Sequence, residues 1–338
     1  MSIVKECARP IDKSSLEGIS PEVLILMYEA MVKIRLVEES LGKLVSSGEI
    51  KTPCHLYIGQ EAVATGVCLN LKKDDYVFST HRSHGHYLAK GGNLKKLMAE
   101  IYGKITGCSR GRGGSMHIAS PEVGLPGSSA IVGGTIPLAV GTALGFSLQR
   151  EKNVSVTFFG DGATNEGVLY ESLNFASLRR LPVIFICENN FYSTHIYISK
   201  IQSAPDLYEI GKLFEIPSFK INGYNVIEVF NIAKKAVEYA RRGKGPTFIE
   251  ALTYRWRGHV GPNWDLDKPI RSKDEVYFWV RNCPIKRFES LLLKEKILDN
   301  IVKKRIFKEL NKKIKEAVNY AQESPYPDEG ELKDVFKP

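Results

Sequence analysis

Residues 154–190 read VSVTFFGDGATNEGVLYESLNFASLRRLPVIFICENN, and this stretch decides the fold. It begins with a short apolar, β-rich run at 154–160 and ends with a second one, PVIFICENN, at 182–190. The segment between the two runs carries apolar residues at helical spacing. The order strand, helix, strand is typical of a crossover between buried parallel strands. We therefore predict an α/β fold with a mainly parallel sheet flanked by helices.

The segments outside this stretch extend the same pattern. VIEVF near residue 226 and TFIEAL near residue 247 predict further strands of the sheet. Residues 20–150 have a largely helical pattern, in which Ser20 is a capping residue and Gly48 a stop signal for a long first helix. Helices are also expected near the C-terminus, where the apolar residues at helical spacing are Ile285, Phe288, Leu292, Ile306, Leu310 and Ile314.

The domain organisation follows from these patterns and from the length. We predict that residues 1–338 form one domain, with helical segments at 1–50 and 284–338. Residues 255–273 have little periodicity and many turn-forming residues, which predicts a long loop before the last helices.

Composition excludes several classes of protein. No apolar run approaches the length of a membrane helix, and the first residues lack the apolar core of a signal peptide, so we expect a soluble, cytoplasmic protein without a membrane partner. Six scattered cysteines with no CxxC pair argue against a disulfide framework and a structural zinc site. We expect these cysteines to be reduced.

The net charge of +9 leaves a nucleic-acid-binding protein as one alternative. Much of the excess lies in residues 286–316, with 11 basic and 5 acidic residues (11 minus 5, or +6), where a solvated helix face explains the lysines, and we expect no nucleic-acid partner. The stretch RGRGG at 110–114 resembles an RNA-binding element but lacks interleaved aromatic residues.

The chemistry-bearing motif joins the two strands of the opening stretch. Asp161 lies between two glycines at the end of the first strand, and Asn190 ends the second, 29 residues later (190 minus 161). Both residues should reach the carboxyl edge of the sheet, where carboxylate and amide oxygens suit Mg²⁺. A helix beginning after Thr164 would direct its backbone amides at a diphosphate. The alternative is an ordinary strand-to-helix turn.

These residues resemble the thiamin diphosphate motif of the alpha subunits of 2-oxo acid and acetoin dehydrogenases, a family that includes the pyruvate dehydrogenase first component. The resemblance spans about residues 20–260. It includes HLYIGQEA at 55–62, THRSHGHYLAKGG at 80–92, GCSRGRGGSMHI at 107–118 and IVGGTIPLAVG at 131–141. The HRSHGH version is closer to the acetoin and bacterial branch. The resemblance implies a thiamin-diphosphate-binding fold with helical extensions at both ends.

The resemblance also implies a set of site residues. Asp161, Asn190 and the backbone carbonyl of Tyr192 would bind Mg²⁺, and His55 and His259 would be catalytic. The residues expected to bind thiamin diphosphate are His55, His81, Arg82, Ala130, Val132, Asp161, Gly162, Ala163, Asn190, Tyr192 and His259. Read without the family, each of the histidines at 55, 84 and 86 is better explained as a structural residue, and Arg82 could cap a helix.

In this family the glutamate that activates the cofactor belongs to a second domain, for which this chain has no further series of strands and helices. The resemblance therefore implies a beta-type partner in an alpha2beta2 heterotetramer, with a lipoyl acyltransferase as a further partner. The expected reaction is oxidative decarboxylation of a pyruvate-like 2-oxo acid, or cleavage of acetoin, with acyl transfer to a lipoyl carrier. The alternative is acyl or ketol transfer to a sugar or aldehyde.

Two departures from the family pattern affect the substrate. Val260 replaces the serine that usually follows the loop histidine, which excludes phosphorylation at this position and makes loop 260–272 atypical. After Asn190 the chain reads FYST, where relatives more often have a tyrosine-glycine pair.

Overall fold

Six parallel strands form the central sheet of the computed structural model, which describes residues 7–203 and 206–330. They are β1 (Tyr76–Ser79), β2 (Gly127–Ser128), β3 (Ser155–Gly160), β4 (Val183–Asn189), β7 (Ser218–Asn222) and β8 (Thr247–Leu252). Two further short strands, β5 (Tyr192–Ser193) and β6 (Ile196–Tyr197), form a separate antiparallel hairpin. The order across the sheet is β2-β1-β3-β4-β8-β7, and every neighbouring pair is parallel. The predicted α/β fold is confirmed.

Eleven α-helices surround the sheet in the described part of the chain. They are α1 (Pro21–Ser46), α2 (Glu61–Cys68), α3 (His84–Ala89), α4 (Leu94–Ile101), α5 (Thr135–Leu148), α6 (Gly167–Leu178), α7 (Glu209–Lys212), α8 (Val226–Arg241), α9 (Lys273–Arg281), α10 (Pro284–Lys294) and α11 (Asn300–Glu323). None of the helices in the described residues is long and apolar enough to cross a membrane.

The predicted terminal helices form where their sequence signals place them. The hydroxyl of Ser20 accepts a hydrogen bond from the amide of Val23 at 3.5 Å, and Pro21 opens α1, where its missing amide costs nothing. The chain leaves the helix through Gly48, whose φ of +76° favours glycine. The six apolar residues predicted on the C-terminal helices are all buried, and α11 packs against α4 and α1. Residues 1–6 and 331–338 of the predicted terminal segments lie outside the described residues.

One strand prediction is wrong, and two short strands were missed. VIEVF is the start of the helix α8, capped by the side chain of Asn225, which accepts hydrogen bonds from the amides of Ile227 and Glu228. Over the full sixteen residues of α8 the buried positions recur at helical spacing, which a five-residue window does not reveal. The segment predicted as a strand is therefore helical, and the strand in this part of the chain is β7. The region 20–150 also contains β1 and β2, which at four and two residues are too short to interrupt its helical pattern.

The sheet topology places one crevice at its carboxyl edge. From β1 the chain crosses to β2 on one side, whereas β3 lies on the other, so the order reverses between β1 and β3. Strands β3 and β4 end at the same level of the sheet, where Gly160 pairs with Glu188. The segments that follow β1, β3 and β4 therefore converge, and such a switch point is where open parallel sheets bind ligands.

Candidate cofactor and metal site

One cavity at this edge is lined by all eleven residues predicted to bind the cofactor. The residues that the sequence predicts for the site therefore lie together in the structure, and their binding of a cofactor remains a prediction. The cavity has further lining residues that sequence reasoning missed, among them Gln60, Met116, Glu188, Ser193 and Thr194.

Asp161 is the first residue after β3, and its side chain is 1% exposed. Its Oδ2 has no hydrogen-bond partner among the described residues. Burial raises the pKa of this carboxyl to about 6, opposed by the backbone amides of Asp161 and Asn190 and by the charge of Arg255. A buried carboxylate oxygen without a partner is costly, and a cation would satisfy it. The residue therefore fits the metal-binding role.

Asn190 and Tyr192 approach Asp161 from the end of β4. The Oδ1 of Asn190 accepts a hydrogen bond from the amide of Tyr192 at 3.3 Å, and its Nδ2 donates to Gln60 at 3.4 Å. Phe191, between them, has a φ of +69°, so the chain turns sharply as it leaves the sheet. The hydroxyl of Tyr192 donates to Glu275 at 2.8 Å and ties this turn to α9.

The backbone after Asp161 differs from the prediction. Residues Asp161–Asn165 form a 3-10 turn, and α6 begins only at Gly167, so the helix predicted directly after Thr164 starts later. A Cβ added to Gly162 would collide with the side chain of Ser193 on the hairpin β5-β6. A side chain at 162 would therefore force Ser193 to shift, and with it the hairpin that closes over this turn.

Three histidines from distant segments come together in the cavity. His55 precedes α2, His81 follows β1, and His259 lies in the loop after β8. Their ring centroids are 4.5 Å apart for 55 and 81, 4.9 Å for 55 and 259, and 5.3 Å for 81 and 259. Burial, together with the charge of Arg82, lowers the pKa of each ring, to about 3 for His55, about 2 for His81 and about 3 for His259. All three rings are therefore neutral at pH 7.

His84 and His86 are structural residues with satisfied ring nitrogens. The ring of His84 lies 3.1 Å from Glu38 and 2.9 Å from the Ser115 hydroxyl. His86 contacts the Ser79 hydroxyl at 2.7 Å and the Tyr57 hydroxyl at 3.2 Å. In His55, by contrast, Nδ1 is buried and finds no partner anywhere in residues 7–203 and 206–330. Satisfied ring nitrogens therefore identify His84 and His86 as structural residues, whereas His55, with an unpartnered nitrogen, belongs to the cavity.

Arg82 connects two walls of the cavity instead of capping a helix. Its guanidinium donates to the carbonyl of Leu56 at 2.7 Å and to the carbonyl of His259 at 3.1 Å. Burial lowers its pKa to about 10, so it remains charged at neutral pH. A buried cation facing the cavity favours an anionic ligand, and a guanidinium matches phosphate oxygens well.

The RGRGG stretch has a structural role that the sequence did not reveal. The buried carboxylate of Glu100 accepts four backbone amides, from Ser109 at 2.7 Å, Gly111 at 2.9 Å, Gly113 at 2.8 Å and Gly114 at 3.1 Å. The glycines let the backbone curl around this carboxylate. The same loop continues to Met116 at the cavity wall.

Loop 260–272 is held by a second buried residue that the sequence did not reveal. The guanidinium of Arg271 donates to the carbonyls of Arg255, Trp256, Arg257 and Trp264 at 2.6 to 3.4 Å. These bonds fix the loop that carries His259. Contacts of this kind join segments distant in sequence, and no local pattern marks them.

The fold and the cavity together define a class of protein. It is an α/β protein whose topological switch point carries a carboxylate and an amide suited to a metal ion, a turn that contains a glycine, and a buried guanidinium. Comparison with known proteins names the family within this class. The family model described as "Dehydrogenase E1 component" matches residues 29–329, and the chain belongs to this family. The family consists of thiamin-diphosphate-dependent oxidoreductases that use a divalent metal ion, typically Mg²⁺.

Several relatives are similar over nearly their whole length. The alpha subunit of acetoin:2,6-dichlorophenolindophenol oxidoreductase from Bacillus subtilis is 40% identical, with 94% of each chain covered. The pyruvate dehydrogenase E1 component subunit alpha of Porphyra purpurea is 38% identical, with 98% of each covered. The subunit of the same name from Rhizobium meliloti is 40% identical, covering 97% of this chain and 95% of its own.

Proposed function

We propose that this chain is the alpha-type subunit of a thiamin-diphosphate-dependent dehydrogenase that cleaves a pyruvate-like 2-oxo acid or acetoin and passes the acyl group to a lipoyl carrier. The observation that carries the proposal is the buried Oδ2 of Asp161, which faces the cavity without a partner among the described residues. The names of the relatives, pyruvate dehydrogenase and acetoin oxidoreductase subunits, support the choice of donors.

In this proposal different residues of the cavity bind the metal ion and the diphosphate. Asp161, Asn190 and the carbonyl of Tyr192 hold Mg²⁺, and the amides of Gly162 and Ala163 approach the diphosphate. His81 and Arg82 contact the diphosphate from the opposite side. Oxygen ligands and a buried guanidinium are the groups that a magnesium diphosphate requires.

The remaining site residues face the organic part of the cofactor. Ala130 and Val132 border the aminopyrimidine, and His55 and His259 act as catalytic residues beside the reacting carbon. The bound cofactor supplies the electron sink for cleavage of the carbon-carbon bond. Neutral imidazoles can donate or accept a proton there without first losing one, because burial keeps their pKa values well below 7.

A beta-type partner is part of the proposal, since the relatives are alpha subunits by name. Its expected docking surface adjoins the cavity. Ile131 and Leu138 are 72% and 56% exposed, Leu148 and Leu178 are 74% exposed, and Val132 is half-exposed. Several large apolar side chains exposed in this way favour a protein interface. We propose that the partner covers it in an alpha2beta2 assembly.

The single domain, the cytoplasmic location and a lipoyl acyltransferase partner remain predictions.

The central claim is tested by calorimetric titration of the chain, purified with its beta-type partner, with thiamin diphosphate and Mg²⁺. We expect Asp161→Ala to weaken cofactor binding about 100-fold, because a metal ligand is removed. Asp74→Ala, which removes an exposed carboxylate, is the matched control and should bind normally. Undiminished binding by Asp161→Ala would refute the assignment.

The substrate is tested by turnover of the same complex. Lipoamide-dependent acyl transfer from pyruvate or from acetoin supports the dehydrogenase reaction and separates the two donors. Turnover with an aldehyde or sugar acceptor, and none with lipoamide, would favour the alternative transferase. The atypical residues Ser193, Thr194 and Val260 lie in or beside the cavity, which is why the acceptor is tested separately.

A further inference from the structure

The three cavity histidines form a second potential cation site, distinct from the oxygen site at Asp161. One ring nitrogen from each of His55, His81 and His259 lies within 4.8 Å of the other two. These nitrogens come from three separate segments, so their convergence is a property of the fold. Asp161, Asn190 and Tyr192 offer oxygens, whereas this group offers nitrogens only.

The chemistry of the group suits a zinc-class ion. Zinc takes imidazole ligands at about 2.0–2.1 Å in tetrahedral geometry, which separates the nitrogens by about 3.3 Å. The rings of His81 and His259, which lie on loops, would have to move to bring the nitrogens to this separation. His55 supplies an independent observation, because its buried Nδ1 is unpartnered within the described chain.

The two sites should select different metals. Mg²⁺ is a hard cation that prefers oxygen ligands and keeps several waters, so it favours the Asp161 side. Zinc, Co²⁺ and Cu²⁺ favour imidazole nitrogen. One cavity can therefore hold either a magnesium diphosphate or a transition-metal ion on the histidines.

We propose that His55, His81 and His259 bind one zinc-class ion, with water at the fourth position, and that this ion excludes thiamin diphosphate from the cavity. Zinc binding stands on the geometry of the histidines alone. The competition rests on the proposed function, because His55, His81 and His259 are there assigned to the cofactor.

The first experiment uses Co²⁺ as a visible probe on the full chain without cofactor. We expect visible d–d absorption that saturates at one ion per chain and is displaced by Zn²⁺. His55→Ala, His81→Ala and His259→Ala should each weaken Zn²⁺ binding at least about tenfold. His117→Ala is the matched control, since His117 is exposed and outside the cavity. Melting curves identify variants that fail to fold, and any two folded variants suffice.

Unchanged Zn²⁺ affinity in the folded histidine variants, or equal loss in His117→Ala, would overturn the proposal. So would loss of Zn²⁺ binding in Asp161→Ala, because the ion would then occupy the oxygen site.

The second experiment titrates thiamin diphosphate and Mg²⁺ into the alpha-beta complex at increasing Zn²⁺. The apparent Kd should rise in proportion to Zn²⁺ once the site is saturated, and His259→Ala should shift this dependence to at least about tenfold higher Zn²⁺. A Kd independent of Zn²⁺ would overturn the competition. If thiamin diphosphate does not bind at all, the proposed function fails, whereas the Co²⁺ spectrum still reports on the histidine site.

Discussion

Asp161 illustrates how a functional residue can destabilise the fold that carries it. Its pKa is raised from 3.8 to about 6 by burial, so the folded chain without a cation favours the protonated carboxyl. The residue therefore costs no stability below pH 3.8, and stability is lost as the pH rises from there through about 6. Above pH 6 the cost is on the order of 3 kcal/mol.

From this we predict that Asp161→Asn stabilises the cation-free chain at pH 8 and has little effect at pH 3.5. Urea unfolding at the two pH values measures the difference. Asp74→Asn, at an exposed position, is the control and should change neither value. Equal stability of wild type and Asp161→Asn at pH 8 would show that the carboxylate is already satisfied in the folded chain.

A second prediction concerns the contact between Gly162 and Ser193. Gly162→Ala should weaken cofactor binding at least tenfold, because the new methyl group collides with the Ser193 side chain and displaces the hairpin. The double variant Gly162→Ala, Ser193→Gly should recover most of the affinity, since only the Cα of residue 193 then remains, at 3.7 Å. Thiamin diphosphate titration measures both variants. No recovery in the double variant would mean that the amide geometry of the turn itself is altered.

The sequence predicted the residues that line the cavity better than the buried residues that hold the neighbouring loops in place. All eleven predicted residues line the cavity, because each belongs to a short motif at the end of a strand or in a loop. Glu100 and Arg271 were missed, since an isolated Glu or Arg in a sequence does not indicate which distant backbone groups it will contact.

At the scale of elements, the loop 107–118 depends on the single carboxylate of Glu100. We predict that Glu100→Gln destabilises the chain by about 2–4 kcal/mol, because the side-chain NH2 group replaces one carboxylate oxygen and cannot accept from the two backbone amides that face it. Urea unfolding gives the change, and hydrogen exchange should show faster exchange in this loop. Glu122→Gln, at an exposed glutamate paired with Lys96, is the control and should stay within about 0.5 kcal/mol of wild type.

The elements differ in how far the sequence predicts them. Strands β3, β4 and β8 are buried on both faces and read as continuous apolar runs, so their prediction succeeded. β1 and β2 are too short to carry such a signal, and they are specified by pairing with β3 and with each other. The prediction for VIEVF failed because four apolar residues within five positions fit a buried strand and the start of a helix equally well.

At the scale of the whole molecule, the apolar surface beside the cavity should determine assembly. We predict that Leu138→Asp weakens association with the beta-type partner about 10- to 100-fold, because a charge would be buried in the interface. The monomeric fold should persist, since Leu138 faces away from the core. Analytical ultracentrifugation with the partner measures the effect. Ile301→Asp, at an 80% exposed residue of α11, is the control, and an equal loss there would place the interface elsewhere.

The exposed apolar face of α5 also affects the fate of the chain in the cell when no partner covers it. Gly141 and Gly145 leave that face so open that an added Cβ would meet nothing within 4 Å in the part of the chain that is described. A chain produced in excess over its partner would present this surface to chaperones and proteases, or to other copies of itself. We expect balanced synthesis of the two subunits to matter more for yield than the intrinsic stability of either one.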